Sequence, residues 1–279
     1  MGSGDDHTVA VGDARIPVLG CGTWELRGEA CARIVAEALK LGFRHVDTAQ
    51  GYENEEAVGE GLRASGVRRD EVFVTTKVRP QLLSQGALQE SVEESLQRLG
   101  VDQVDLLLIH WPNPEITIAE SMAALSDAKR RGLARHIGVS NFTIATLAEA
   151  MRVSPEPFVV NQIEYHPYLD QRRLLAAIRG HGVAITAYCP IALGQVVGDP
   201  VISGIARMHG KTEAQVTLRW LIQQGDVIAI PRTSKVERLS ENLAVFDFEL
   251  SAAEMGRMGS LTRPGSKLIN QLGWVPQWD

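Results

Sequence analysis

The segment Val104-Asp105-Leu106-Leu107-Leu108-Ile109-His110 carries the most apolar run of the chain, Leu106 to Ile109, closed off by Asp105 and His110. So short a run reads as a buried strand, because a helix crossing a bilayer needs roughly 20 apolar residues. Similar β-branched or apolar runs recur on both sides of it: Val18 to Gly22, Arg44 to Asp47, Val72 to Lys77, Ala134 to Val139, Phe158 to Gln162, Ala184 to Tyr188 and Val227 to Ile230. Between them lie amphipathic stretches such as Ala30 to Leu41, where Cys31, Ile34, Val35, Ala38 and Leu39 fall at helical spacing, and Leu88 to Leu99. Strands alternating with helices mark repeated βα units and a parallel sheet. Eight such strands in 279 residues, with no Pro/Gly/Ser-rich linker, predict one α/β domain over residues 1–279, a closed (β/α)8 TIM barrel more than an open doubly wound sheet. Thr8 to Ala10 and Arg15 to Pro17, flanking Val11-Gly12-Asp13-Ala14, predict a hairpin that caps the barrel's bottom. Ser234 with Glu237, Ser251 with Glu254 and Thr212 with Gln215 read as helix capping boxes.

The balance of 44% hydrophobic and 22% charged residues is that of an ordinary globular protein and excludes a disordered or fibrous chain. A net charge of -6, with no Lys/Arg run to track a phosphate backbone, argues against a nucleic-acid partner. No membrane association is expected either. Met1 to Asp13 is polar and acidic, without the basic start and apolar centre of a secretory signal, so a cytoplasmic location is expected, with the chain acting as a monomer. Cys21, Cys31 and Cys189 are too few and too scattered for a disulfide framework or a closed zinc site, and no metal is expected.

In barrels of this kind the working residues sit at the carboxyl ends of the strands. Here the first run is followed by Thr23-Trp24; the second ends in Asp47, with Tyr52 shortly after; the third ends in Lys77 and the fourth in His110-Trp111. Ser140-Asn141, Asn161-Gln162, Tyr188 and Pro231-Arg232-Thr233 end the other four. With neighbouring strands ~4.8 Å apart, Asp47, Lys77, His110 and Tyr52 can converge within about 10 Å. Singly, each has an ordinary use: a strand-end lysine snorkels to solvent, an aspartate caps a helix, a histidine is satisfied in a core. Together at one face of a packed barrel they need one another to be electrostatically tolerable.

A phenol, with a pKa of about 10, is a poor proton donor to a carbonyl at neutral pH, and a neighbouring ammonium lowers that pKa. Lys77 is therefore expected to acidify Tyr52, with Asp47 as the carboxylate that keeps Lys77 charged, and His110 is placed to hydrogen-bond the substrate carbonyl oxygen. Such a set protonates a carbonyl but carries no nucleophile, so the electrons come from a cofactor.

Phe43-Arg44-His45-Val46-Asp47-Thr48-Ala49 with Tyr52-Glu53-Asn54-Glu55, Thr75-Thr76-Lys77, Leu108-Ile109-His110-Trp111-Pro112, Gly138-Val139-Ser140-Asn141-Phe142, Asn161-Gln162-Ile163-Glu164 and Ile230-Pro231-Arg232-Thr233 with Arg238 and Glu241-Asn242 together resemble the aldo-keto reductases. The ending Trp274-Val275-Pro276-Gln277-Trp278-Asp279 is most similar to the prokaryotic 2,5-diketo-D-gluconate reductase group. The resemblance implies NADPH-dependent reduction of aldehydes and ketones, with Tyr52 as proton donor and Asp47, Lys77 and His110 as its partners. It also implies that Ser140, Asn141 and Gln162 hold the nicotinamide carboxamide and that Tyr188 stacks on the ring. To the rest of the cofactor it assigns Thr23, the loop residues Cys189, Ile191 and Leu193, and Arg232, Thr233, Ser234, Arg238, Glu241 and Asn242.

No Gly-x-Gly-x-x-Gly or Walker loop serves the phosphates, since Gly20-Cys21-Gly22 does not open a helix. Instead Arg232-Thr233-Ser234-Lys235 lies where the last strand feeds a helix, with Arg238 one turn on, and two guanidinium groups with a hydroxyl suit a 2′-phosphate. Trp24, His110, Trp111 and Trp274 are expected to line the substrate end, for small polar carbonyls such as keto sugars, α-dicarbonyls or keto esters. Cys189 beside Tyr188 would make activity oxidant-sensitive if its thiol were reactive, and is otherwise an inert buried cysteine. Two rival readings are a barrel metallohydrolase using His45, Asp47, His110 and His166 with Lys77 bridging, and a cofactor-binding regulatory subunit without catalysis.

Overall fold

A computed structural model of the chain describes residues 7–269, 276, 278 and 279. Eight parallel strands follow one another around a single sheet: β3 (Cys21–Gly22), β4 (His45–Asp47), β5 (Phe73–Val78), β6 (Val104–Ile109), β7 (Ala134–Ser140), β8 (Val160–Glu164), β9 (Ala184–Tyr188) and β10 (Val227–Ala229). Each pairs with the next in sequence order. The first and last edges meet through parallel bridges from Leu19 to Ala229 and from Gly22 to Arg232, which closes the (β/α)8 barrel. Gly22 permits that closure: a Cβ there would lie 2.8 Å from the Ile230 carbonyl oxygen. The backbone of the expected run Val18 to Gly22 pairs along its length, with Ala229 N donating to Val18 O and Gly20 N to Ala229 O, although only Cys21–Gly22 forms regular strand.

The connecting helices are α1 (Gly28–Leu41), α2 (Glu55–Ser65), α3 (Ala87–Leu99), α4 (Ile118–Arg130), α5 (Ile144–Val153) and α6 (Arg172–Gly180). Two helices, α7 (Pro200–His209) and α8 (Glu213–Ile222), separate β9 from β10, and α9 (Glu237–Leu243) and α10 (Ala252–Gly259) follow β10. Strand side chains alternate, so outward residues such as Val46, Val74, Leu107, Ile137 and Val139 join Ile34, Val92, Leu125 and Leu147 from the helices in one extensive apolar shell. The inward residues Leu106, Leu108, Val160, Ala184, Ile228 and Ile230 make a second, smaller core. The hairpin β1 (Thr8–Val11) and β2 (Ala14–Pro17) contributes Val9, Ala14 and Ile16 to that inner core, as expected for a bottom cap.

Thr212 with Gln215 and Ser251 with Glu254 form the expected capping boxes. Ser234 does not: α9 begins at Glu237, and Thr233 Oγ1 takes the Lys235 backbone N–H at 3.0 Å, closing residues 233–235 into a side-chain-capped turn of their own. β8 also lies two residues beyond its expected span, ending at Glu164. Its inward face is thus Val160, Gln162 and Glu164, and the polar stretch read as the strand's exit is the strand itself.

Candidate active site

Asp47 and Lys77 stand on adjacent strands, facing the barrel interior just below its mouth, and both are fully buried. Lys77 Nζ lies 2.5 Å from Asp47 Oδ1, 2.8 Å from the Thr48 carbonyl and 3.4 Å from Tyr52 Oη. Its three ammonium protons thus have three acceptors. The other carboxylate oxygen, Asp47 Oδ2, accepts from Gln162 Nε2 at 2.9 Å.

Tyr52 ends a short 3-10 turn, Gln50–Tyr52, which is gripped from both sides. Arg79 Nη2 donates to Gln50 O at 2.8 Å and Arg27 donates to the Tyr52 carbonyl. Asn54 ties this loop to the preceding one, donating to Thr23 O at 2.8 Å and Leu26 O at 3.0 Å while accepting from Thr48 Oγ1. The Tyr52 ring meets His110 edge-on at 5.6 Å.

Burial acts most strongly on Lys77 and favours its neutral form, but Asp47 and Tyr52 outweigh it and hold the ammonium above its ordinary pKa. For Tyr52 burial wins. It pushes the phenol up against the expected pull of Lys77, so the net shift is upward and Tyr52 is a protonated phenol at neutral pH. The imidazole of His110 is pushed down to about 3, by burial first and then by Lys77 and Arg79, and is therefore neutral. No group among the described residues bonds its ring nitrogens.

Asp47, Tyr52 and His110 open onto a cavity of about 270 Å³ lined also by Thr23, Trp24, Trp111, Ser140, Asn141, Gln162, Tyr188, Cys189, Ile191, Leu193, Arg232 and Arg238. Ser140 Oγ donates to Gln162 O at 2.9 Å, and Asn141 Nδ2 donates to His110 O at 3.0 Å. Tyr188 Oη donates to Asn141 Oδ1 at 2.7 Å. Asn141 is left-handed (φ 62°), a conformation that asparagine tolerates better than most side chains. The loop after β9 carries three more left-handed non-glycine residues, Cys189, Ala192 and Leu193, the kind of backbone strain that clusters at binding sites. Burial pushes the Cys189 thiol up to about 12, so little thiolate exists near neutral pH.

Arg232 and Arg238 border the cavity on the β10 side. Arg232 Nε donates to Trp24 O at 3.0 Å, whereas the exposed guanidinium of Arg238 has no partner among the described residues. Thr233, Ser234, Glu241 and Asn242 do not line the cavity. Glu241 accepts from Thr212 Oγ1 at 2.7 Å, joining α9 to α8. Trp274 lies outside the described residues; Trp278 packs edge-on against Trp111 at 5.9 Å. The metal-site reading fails on geometry, since His45 bonds Thr75 and His166 bonds Glu164, and no three of the described His, Cys, Asp or Glu residues gather as ligands. Ile269 and Glu25 also line the cavity and carry no sequence signal for it, being apolar or surface-type residues on loops without a motif.

The sequence profile of the Aldo/keto reductase family matches residues 18–263. The chain is 43% identical over 267 residues to the methylglyoxal reductase DkgB of Yersinia pestis, covering 95% of this chain and 99% of that protein. A crystal structure of a candidate 2,5-diketo-D-gluconic acid reductase B superposes with a TM-score of 0.95 at 48% identity, covering 98% of this chain and 97% of that one. A variant of Gox0644 in complex with NADPH superposes with a TM-score of 0.88 at 37% identity, covering 94% and 96% of the two chains. With a match of this extent joined to the geometry of the barrel mouth, the chain belongs to the aldo/keto reductase family and is an oxidoreductase.

Proposed function

We propose that this protein reduces aldehydes and ketones to alcohols with NADPH, Tyr52 delivering the proton. The observation that carries the reading is the buried relay from Asp47 through Lys77 to Tyr52, whose hydroxyl opens into the cavity.

The cavity's donors and acceptors fit a nicotinamide dinucleotide phosphate. A carboxylate can only accept, so Asp47 takes the amide nitrogen of Gln162 and leaves Gln162 Oε1 as the polar atom that side chain offers to a carboxamide. Ser140 and Asn141 flank it, and the ring of Tyr188 supplies a flat apolar face beside them. Arg232 and Arg238 offer paired guanidinium groups for a phosphate. When bound, NADPH supplies the hydride.

The chain's own residues do the rest. Neutral His110, with unbonded ring nitrogens, donates to the substrate carbonyl oxygen, polarising and orienting it. Tyr52 then protonates that oxygen as charge develops on it, and Lys77 stabilises the resulting phenolate, so the ammonium acts on the transition state more than on the resting phenol. Asp47 keeps Lys77 charged throughout. Trp24 and Trp111 form the substrate end, for small polar carbonyls: α-dicarbonyls such as methylglyoxal, keto sugars or keto esters. Methylglyoxal reductase is the name of the Yersinia pestis relative.

The protein is proposed to work as a single-domain cytoplasmic monomer. Among the described residues the exposed large apolar side chains, Leu41, Leu193, Val197 and Met208, are few, and no helix is long and apolar enough to cross a membrane. The test is NADPH consumption followed by absorbance against aldehydes, α-dicarbonyls, keto esters and keto sugars. Turnover with at least one class is expected, and binding of NADPH without oxidation by any of them would overturn the reading in favour of the regulatory subunit.

A further inference from the structure

Glu164 ends β8 on its inward face, in register with Tyr188, and its side chain is wholly buried. The reduction proposed above makes no use of it. Its carboxylate gathers donors from a distant part of the chain: Leu268 N lies 2.6 Å from Oε1 and Ile269 N lies 2.9 Å from Oε2. Lys267 Nζ stands 3.5 Å from Oε2, and His166 Nε2 lies 3.1 Å from Oε1. Both oxygens are thereby engaged, each by one backbone N–H and one side chain. Two successive backbone donors on one carboxylate fix the direction of residues 267–269 as well as their position, which a lysine contact alone would not do.

What is held there is cavity wall. Ile269 lines the cavity directly. Lys267 also lies over the ring of Trp278, 3.7 Å from its centroid, and Trp278 packs against the lining residue Trp111. One carboxylate thus supports the Ile269 wall and, through Lys267, the aromatic pair beside it.

We propose that Glu164 is a positioning residue for substrate specificity: by clamping residues 267–269 onto the barrel mouth, it sets the width of the cavity's substrate end and so which carbonyls fit. The specificity part rests on the reductase reading, while the clamp itself can be tested without it.

Glu164→Gln preserves shape but turns one acceptor into an NH2 that faces a backbone N–H. Leu268→Pro removes one donor and leaves Glu164 in place. Two measurements are made on the full chain of each variant. Hydrogen–deuterium exchange of the backbone amides of residues 265–269, read by mass spectrometry, is expected to accelerate about tenfold or more as the segment opens locally. The ratio of kcat/KM for methylglyoxal to that for naphthaldehyde is expected to fall about tenfold through KM, with kcat for methylglyoxal within about twofold of the parent. Unchanged exchange overturns the clamp, and faster exchange with an unchanged ratio overturns the specificity role. If Glu164→Gln does not fold, Leu268→Pro decides by the same two measurements. If the parent oxidises NADPH with none of the carbonyls, the reductase reading fails, and the exchange rates still judge the clamp.

Discussion

The amide nitrogen of Gln162 and the ammonium of Lys77 share one buried carboxylate, Asp47, at 2.9 Å and 2.5 Å. Through that oxygen pair, the side chain proposed to orient the nicotinamide and the one that supports the proton donor are set by the same residue. Asp47→Asn therefore removes the charge partner of Lys77 and frees Gln162 to rotate. It is expected to lower kcat and raise the dissociation constant for NADPH together, and to cost about 3–5 kcal/mol of stability because the ammonium is left buried and unpaired. Urea denaturation and NADPH titration by fluorescence check both effects.

Tyr52→Phe separates chemistry from binding. The phenyl ring keeps the edge contact with His110, while the proton is lost, so kcat is expected to fall by about 10²–10⁴-fold with NADPH affinity nearly unchanged. Comparable turnover in the variant would remove Tyr52 from the proton-donor role.

The pH dependence follows from the direction of two shifts. His110 titrates near 3 in the folded protein against an ordinary 6.5, so kcat/KM is expected to show no inflection in the normal histidine range. Tyr52 is raised above 10, so its acid form persists through the mildly alkaline range. For stability, the unfolded chain takes up the His110 proton as pH falls through 6.5 while the folded chain does not until near 3. Stability is thus fully present above 6.5 and lost on acidification through that window; His45 and His136, both lowered, act in the same direction. Urea midpoints measured across that range check the sign.

Arg238→Ala is a cleaner probe of 2′-phosphate recognition than Arg232→Ala, because Arg232 also holds the Trp24 carbonyl. Loss of one charge-assisted contact worth ~1.5–3 kcal/mol should raise KM for NADPH about tenfold or more and leave NADH almost unaffected. Equal effects on the two cofactors would rule out a phosphate contact.

Mild peroxide is expected to leave turnover unchanged, since the Cys189 thiol, pushed up to about 12, presents almost no thiolate. Loss of activity that Cys189→Ser prevents would contradict this.

The barrel was legible because burial on both faces of a parallel strand leaves short apolar runs, and α1 and α3 show their helical period plainly. β8 was displaced for a physical reason: Gln162 and Glu164 are polar, and their inward placement is tolerable only because Asp47, His166 and the backbone of residues 268–269 satisfy them. None of those partners is near in sequence except His166. The Ser234 capping box failed likewise, because Thr233 had already closed a turn ahead of α9.

Sequence alone determined the residue types at the strand ends, and with them the convergence of Asp47, Tyr52, Lys77 and His110, because strand order and period place side chains without reference to anything remote. Only the tertiary structure decided the balance of forces on those groups. Desolvation depends on everything packed around an atom, so it took the folded barrel to raise Tyr52 despite its neighbouring ammonium, to keep His110 neutral, and to bring Leu268 and Ile269 back onto Glu164.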